Sequence, residues 1–151
     1  MHSIHIASLH TASLMERILL LREVALFAGL SPEDLKQIAE VTREQRFADG
    51  AIVCQQGEPG HELFLVVDGK LQVIKQTGSE HKLIAVLGPG ECVGEMAIFE
   101  SLARYATVMA SGEALTLVLD GEVFKSILHD RPDVALAVLR TMSRRLRNLS
   151  D

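Results

Sequence analysis

Two oppositely charged residues, Glu95 and Arg104, lie nine positions apart in a segment that begins with Gly94. Ala97 and Ala106 each follow one of them by two positions, and small side chains there allow a ligand to approach the backbone. An arginine can donate two parallel hydrogen bonds to phosphate oxygens. An ionised glutamate only accepts hydrogen bonds, which suits a hydroxyl group. The pattern indicates a site for a small anion that carries hydroxyls.

We expect a short helix to begin near Gly94, because the unpaired N–H groups and the positive dipole end of a helix N-terminus attract anions. Taken singly, Glu95 is typical of an acid at a helix start, and Arg104 of a surface arginine. The combination with three small residues favours the ligand-binding interpretation of both.

Two segments, Gly94 to Ile98 (GEMAI) and Arg104 to Val108 (RYATV), resemble the phosphate-binding cassette of the cyclic-nucleotide-binding domain family. That family includes protein kinase A regulatory subunits, the catabolite activator protein and cyclic-nucleotide-gated channels. The resemblance runs from about Leu26 to the C-terminus. The upstream motifs, in the family's order, are residues 26–31 (LFAGLS), 50–53 (GAIV), 57–60 (GEPG), 63–69 (LFLVVDG) and 87–90 (LGPG).

The resemblance implies a cyclic nucleotide, cAMP or cGMP, as the ligand. Glu95 would bind the ribose 2′-hydroxyl, and Arg104 the exocyclic oxygens of the cyclic phosphate. Backbone amides around Ala97 and Ala106 would bind the same phosphate, with Gly94 permitting the close turn. The ligand-binding residues predicted in this way are Gly94, Glu95, Met96, Ala97, Arg104, Tyr105 and Ala106.

Three positions depart from the family pattern. Ala103 stands where the family often has proline, and Val93 where it often has phenylalanine. Tyr105 stands where cGMP-selective members usually have threonine or serine, which favours cAMP over cGMP. The family also uses its C-terminal helix as a lid over the base. No aromatic residue follows Phe124, so Leu139, Arg140 or Met142 would cover the base here.

Composition indicates one globular domain with an intact core. The chain has 151 residues, of which 48% are hydrophobic and 23% charged. Its formal charge of −5 argues against nucleic acid as the principal partner of this chain. Cys54 and Cys92 have no metal-type spacing and are predicted to be buried thiols in a reducing compartment, which indicates a cytoplasmic protein. No signal peptide or membrane span is predicted.

The predicted fold is mainly β with flanking helices: a small jelly-roll β-sandwich with N-terminal helices and C-terminal lid helices. Residues 1–12 are predicted to be a disordered leader, and 13–151 the cyclic-nucleotide-binding domain. Its helices should span about 13–44, its β-roll about 46–119 and its C-terminal helices about 121–149. Nine of the 11 glycines lie between Gly50 and Gly112, at turn motifs that recur about every ten residues.

The last predicted helix carries a stripe of apolar residues and four arginines. We expect the stripe to pack on the chain's own β-sandwich; the alternative is a two-helix seam in a homodimer. The arginines suit the negative end of a helix and are read as a solvated basic face. The stripe consists of Ala135, Leu139, Met142, Leu146 and Leu149, and the arginines are Arg140, Arg144, Arg145 and Arg147.

Other functions fit the sequence less well. The six histidines show no His-x-His pair, so no metal site is predicted. No nucleophile has an evident base, so we predict a regulatory binding module and not an enzyme. Its C-terminal helix would relay ligand occupancy. The alternatives are the same fold acting without nucleotide as an interaction or dimerisation module, or a fragment of a larger DNA-binding regulator, channel or transporter.

Overall fold

The computed structural model describes residues 12–150. In this part of the chain, four α-helices flank the strands: α1 (Leu14–Arg22), α2 (Pro32–Val41), α3 (Gly121–Asp130) and α4 (Pro132–Ser150). A 3₁₀ turn, η1 (Ala25–Phe27), follows α1. The predicted leader lies outside the described residues except for Ala12, which is buried and donates its N–H to Glu44.

The helices begin at the capping residues that the sequence indicates. Ser13 and Glu16 form a capping box at α1, and Ser31 caps α2 with Pro32 as its first residue. Asp120 caps α3, because its side chain accepts hydrogen bonds from the backbone N–H groups of Glu122 and Val123. Leu35, Ile38, Ala39 and Thr42, which recur at helical spacing, are all buried and form the inner face of α2.

The strands are β1 (Arg43–Phe47), β2 (Ile52–Cys54), β3 (Pro59–Gly60), β4 (Glu62–Thr77), β5 (Glu80–Leu87), β6 (Cys92–Val93), β7 (Leu102–Ala103) and β8 (Thr107–Asp120). Within the described residues they form one six-stranded antiparallel sheet and one two-stranded sheet. The large sheet has the order β1-β8-β4-β5, with β2 also paired to β8 and β6 to β4; β3 and β7 form the small sheet. The predicted class, mainly β with flanking helices, is confirmed.

The two long strands, β4 and β8, separate two apolar cores. Successive side chains of a strand point to opposite faces. Leu63 and Leu65 of β4 therefore pack with the helices, whereas Phe64 packs inside the β-roll. In the same way Leu117 of β8 faces the helices and Val118 the roll. One pair of strands thus forms a wall of both cores.

The predicted packing of the α4 stripe is only partly confirmed. Met142 packs against the helix-side core, but Leu139 is 59% exposed and Leu149 is 84% exposed. The buried face of α4 consists of Val134, Val138 and Thr141. The six residues 134–139 are all apolar, so periodicity alone does not identify the face that the core selects.

Arg131 ties the junction between α3 and α4 to α2. Its guanidinium donates hydrogen bonds to Asp34 and Gln37 of α2 and to Asp133 at the start of α4. Asp133 has a pKa below its ordinary value because it accepts hydrogen bonds from Arg131. These hydrogen bonds fix the corner between α3 and α4.

Candidate ligand-binding site

The cassette between β6 and β7 folds as consecutive turns. The Ala97 N–H donates to the Gly94 carbonyl at 3.0 Å, and the Phe99 N–H to the Met96 carbonyl at 3.2 Å. Both bonds span three residues, so the segment does not form the regular α-helix that we predicted near Gly94. The segment contains only two turns, and Gly94 at its start has a positive φ, which is not helical. The hydrogen bonds between residues four apart that define an α-helix therefore do not form.

Apolar side chains anchor the cassette to the helix-side core. Ile98 is fully buried there, and Ala97 is almost fully buried. The Phe99 ring packs edge-on against Phe124 of α3, with 5.9 Å between the ring centroids. The conformation of the cassette is therefore coupled to the position of α3.

Arg104 is held in place by its backbone. Its N–H donates to the Glu58 carbonyl at 2.9 Å, and its carbonyl accepts from the Gly57 N–H at 2.7 Å. The guanidinium Nη2 donates to the Glu62 carbonyl at 3.0 Å. Its Nε is buried and is the single buried side-chain polar atom of the described residues without a hydrogen-bond partner. An unmet buried donor costs about 1–3 kcal/mol.

Two glycines make room for this guanidinium. A Cβ on Gly60 would collide with Arg104 Nε, and a Cβ on Gly94 would lie 2.7 Å from Nη1. Gly94 also has φ of +85° and its Cβ would collide with the Glu62 carbonyl oxygen. A side chain at either position would displace the arginine.

Glu95 bridges the N-terminal and C-terminal parts of the chain. One carboxylate oxygen accepts the Leu26 N–H of η1 at 3.1 Å. The other accepts Nη1 of Arg145 in α4 at 3.0 Å. The Glu95 side chain retains only 20% of its exposure. The Glu95 carboxylate thus bonds Leu26 and Arg145, whereas the Arg104 guanidinium bonds the Glu62 carbonyl.

A cavity of about 360 Å³ opens beside the cassette. Val73, Val93 and Val108 contribute apolar walls, and every predicted ligand-binding residue contributes to its lining. Tyr105 is 63% exposed at this cavity. Lys75 holds it by a 2.7 Å hydrogen bond to its carbonyl and by an ammonium 5.2 Å from its ring centroid. The cavity combines one guanidinium with an apolar lining.

The sequence predicts buried thiols; both cysteines are free and only partly buried. Cys54 lines the cavity, and burial raises the pKa of its thiol, although Arg104 opposes the effect. Burial raises the pKa of the Cys92 thiol to about 11, and the nearby Glu95 carboxylate adds to the rise. Both thiols are protonated at neutral pH.

The described residues contain no cluster of three or more histidine, cysteine or acidic side chains that could hold a metal ion. Among them, too, no helix has the length and apolar character required to cross a membrane.

The structure brings all seven predicted residues to one cavity, although the Glu95 carboxylate turns to Arg145. Sequence reasoning missed the roles of Arg145, Lys75 and Cys54. Arg145 lies 50 residues from Glu95, beyond the reach of any local pattern. Gly60 belonged to a family motif, but its role as a spacer for Arg104 depends on the β3–β7 pairing.

The fold, the cassette and the cavity define a known class of domain. The sequence model of the family described as "Cyclic nucleotide-binding domain" matches residues 44–131. This match covers more than half of the chain, which therefore belongs to the cyclic nucleotide-binding domain family.

Relatives from several bacteria are similar to the chain. The CRP-like cAMP-activated global transcriptional regulator of Mycobacterium tuberculosis is 27% identical over 87% of this chain and 61% of the relative. The cyclic AMP receptor protein of Thermus thermophilus is 31% identical over 81% of this chain and 57% of the relative. The chain thus spans less than two thirds of the length of either.

The solved N-terminal domain of a transcriptional regulator from Streptomyces coelicolor has a similar fold. It superposes with a TM-score of 0.81 at 34% identity, over 86% of this chain and 94% of that domain. The similarity covers more of the chain than the match to the family's sequence model does.

Proposed function

We propose that this domain binds a cyclic nucleotide in the cavity beside the cassette, as a regulatory module and not as an enzyme. The observation that carries the proposal is the Arg104 guanidinium. It lines an apolar cavity, and among the described residues its side chain bonds a single backbone carbonyl and keeps a buried Nε without a partner. An anion at this point would gain charge-assisted hydrogen bonds of about 1.5–3 kcal/mol each.

The other contacts follow from the cavity walls. In this proposal Arg104 binds the cyclic phosphate, Glu95 the ribose 2′-hydroxyl, and Val73 and Val108 pack against the base. The Ala97 N–H already donates to the Gly94 carbonyl, so it must exchange that bond to reach the phosphate. No step requires a metal or a nucleophile, because the phosphate is held and not attacked.

We propose cAMP as the preferred nucleotide. Tyr105 replaces the small hydroxyl residue that cGMP-selective members of the family use, and Lys75 holds its ring at the cavity. Two of the relatives are named for cAMP, which supports the same choice.

We further propose that α4 relays ligand occupancy through the contact between Glu95 and Arg145. The ribose hydroxyl and Arg145 would use the same carboxylate, so binding alters a contact that holds α4 to the cassette. The shift can be no larger than the difference in the ligand's affinity for the two positions of α4.

Calorimetric titration of cAMP and cGMP into the wild type, Arg104→Ala and Arg147→Ala tests binding. Arg147 is an exposed arginine of α4 that does not line the cavity, so it serves as the matched control. Arg104→Ala should lose about 2–4 kcal/mol of binding free energy, or about 30- to 1,000-fold in affinity, and the control nothing. Equal affinity of the wild type and Arg104→Ala would refute the site, and tighter cGMP binding would reverse the preference.

Hydrogen exchange of α4, followed by mass spectrometry with and without cAMP, tests the relay. In the wild type cAMP should change amide exchange in the part of α4 around Arg145. In Arg145→Ala the ligand-free protein should already show the altered exchange, and cAMP should add little. An unchanged response to cAMP in Arg145→Ala would refute this route.

Because the chain spans less than two thirds of the relatives' length, we also propose that this domain works within a larger protein or assembly. The domain would act as the sensory part of a longer regulator, channel or transporter in the cytoplasm, and the exposed Leu139 of α4 would join a homodimer seam. The alternative function, the same fold working as an interaction module without nucleotide, predicts no heat of binding with either nucleotide in the titration above.

A further inference from the structure

A second cavity, of about 300 Å³, lies between η1 and the carboxyl-terminal half of α4. Ala25, Ala28 and Gly29 line one side of it. The chain approaches α4 so closely there that a Cβ on Gly29 would lie 3.0 Å from Thr141 Oγ1. Small side chains on this side leave the space between the two elements open.

The other side of this second cavity is lined by hydrogen-bond donors. Arg144, Arg145 and Asn148 all belong to it. Arg145 bonds Glu95, whereas Arg144 and Asn148 make no side-chain hydrogen bond or ion pair with any part of the chain that the structure describes. Two guanidinium groups and an amide beside a small-residue surface are suited to an anion that accepts several hydrogen bonds.

The arginines have to supply the attraction. They lie near the carboxyl end of α4, where the helix dipole is negative and opposes an anion. Glu95, the carboxylate that bonds Arg145, also faces this group of charges. A ligand therefore needs more than one negative charge to compete with Glu95 for Arg145, and a phosphate monoester meets that need. The volume, at the lower limit of ligand cavities, fits such a group with a small substituent.

We propose that the cavity between η1 and α4 is a second anion-binding site, for a small phosphorylated molecule, separate from the nucleotide cavity. Arg144 and Arg145 bind the phosphate group, and Asn148 donates to the remaining oxygens. Of the two arginines, Arg144 belongs to this site alone, since Arg145 also bonds Glu95.

Inorganic phosphate is the probe, titrated at constant ionic strength and followed by the backbone amide NMR signals of Ala28, Gly29 and Asn148. Saturable shifts are expected in the wild type and in Arg147→Ala. In Arg144→Ala the affinity should fall about tenfold or more, because one of two charge-assisted contacts is lost. Absence of saturable shifts in the wild type, or equal affinity in Arg144→Ala, would overturn the proposal.

The variant Arg104→Ala separates this proposal from the nucleotide site. Its shifts at Gly29 and Asn148 should match those of the wild type. If they disappear in Arg104→Ala, the phosphate occupies the nucleotide cavity and the second site is refuted. Titration of cAMP into Arg144→Ala should give the wild-type affinity, which also shows that this variant is folded.

Discussion

Replacement of Gly94 by alanine tests whether the cassette geometry, independent of any charge, determines nucleotide binding. Gly94 has φ of +85°, and an added Cβ would collide with the Glu62 carbonyl oxygen and lie 2.7 Å from Arg104 Nη1. Glu62 cannot yield readily, because it is paired with Asp120 in the large sheet. The arginine or the cassette has to move.

Gly50 provides the matched control for the backbone strain. Its φ is +79°, and nothing lies within 4 Å of an added Cβ. Both variants carry the cost of a left-handed alanine, about 1–2 kcal/mol. Gly94→Ala alone carries a collision with the backbone, for which overpacking values give about 1–3 kcal/mol more. The difference between the two variants isolates that second part.

Urea denaturation measures the stability of both variants, and calorimetry measures their affinity for cAMP. Gly94→Ala should be the less stable by about 1–3 kcal/mol, and its affinity should fall about tenfold or more as the guanidinium leaves its position. Gly50→Ala should bind cAMP as the wild type does. Equal stability and equal affinity of the two variants would refute the steric argument.

Three further predictions concern other parts of the molecule. Asp120→Ala should lower the free energy of unfolding by about 0.5–2 kcal/mol near neutral pH, because α3 loses its cap. Burial alone would raise the pKa of Asp120, but N–H groups of Val123 and Glu122 bring it below its ordinary value. The stabilisation should therefore shrink as the pH falls below about 4, which urea titrations at several pH values would show; a difference independent of pH would contradict the assignment. Alkylation of Cys54, measured by mass spectrometry, should be slow at neutral pH because its thiol pKa is raised, and slower still when cAMP fills the cavity that Cys54 lines. Alkylation of Cys92, which does not line the cavity, should not respond to cAMP. Equal protection of both cysteines by cAMP would place the ligand elsewhere. Leu139→Asp should shift sedimentation equilibrium towards the monomer if α4 forms the homodimer seam, and an unchanged mass would exclude Leu139 from it.

Much of the fold could be predicted because its signals are local. Ser13 with Glu16, and Ser31 with Pro32, determine helix starts through contacts within one turn. The strands were predicted from glycine-rich turns between β-branched segments. The buried face of α4 could not be predicted in this way. Its six consecutive apolar residues, 134–139, lie all around the helix, so the sequence does not show which side packs on the core.

The site could be predicted in residue identity but not in its interactions. The cassette residues are near one another in sequence, and the structure places them on one cavity. The conformation of Glu95 depends on Leu26 and Arg145, which lie 69 and 50 residues away. Such contacts form only when the helices pack on the sheet, so they cannot be predicted from the periodicity of the sequence. The short helix predicted at Gly94 failed for a local reason, since the chain forms only two turns there.

The two apolar cores share one backbone. Leu63 and Phe64 are adjacent in β4 but belong to different cores, as do Leu117 and Val118 in β8. Neither core can lose its packing without disturbing the strand on which the other is built, so denaturant should unfold sheet and helices in one cooperative transition. For the same reason, an extra residue inserted within β4 would exchange the two faces beyond it, whereas the open turn at Gly78 would accommodate one.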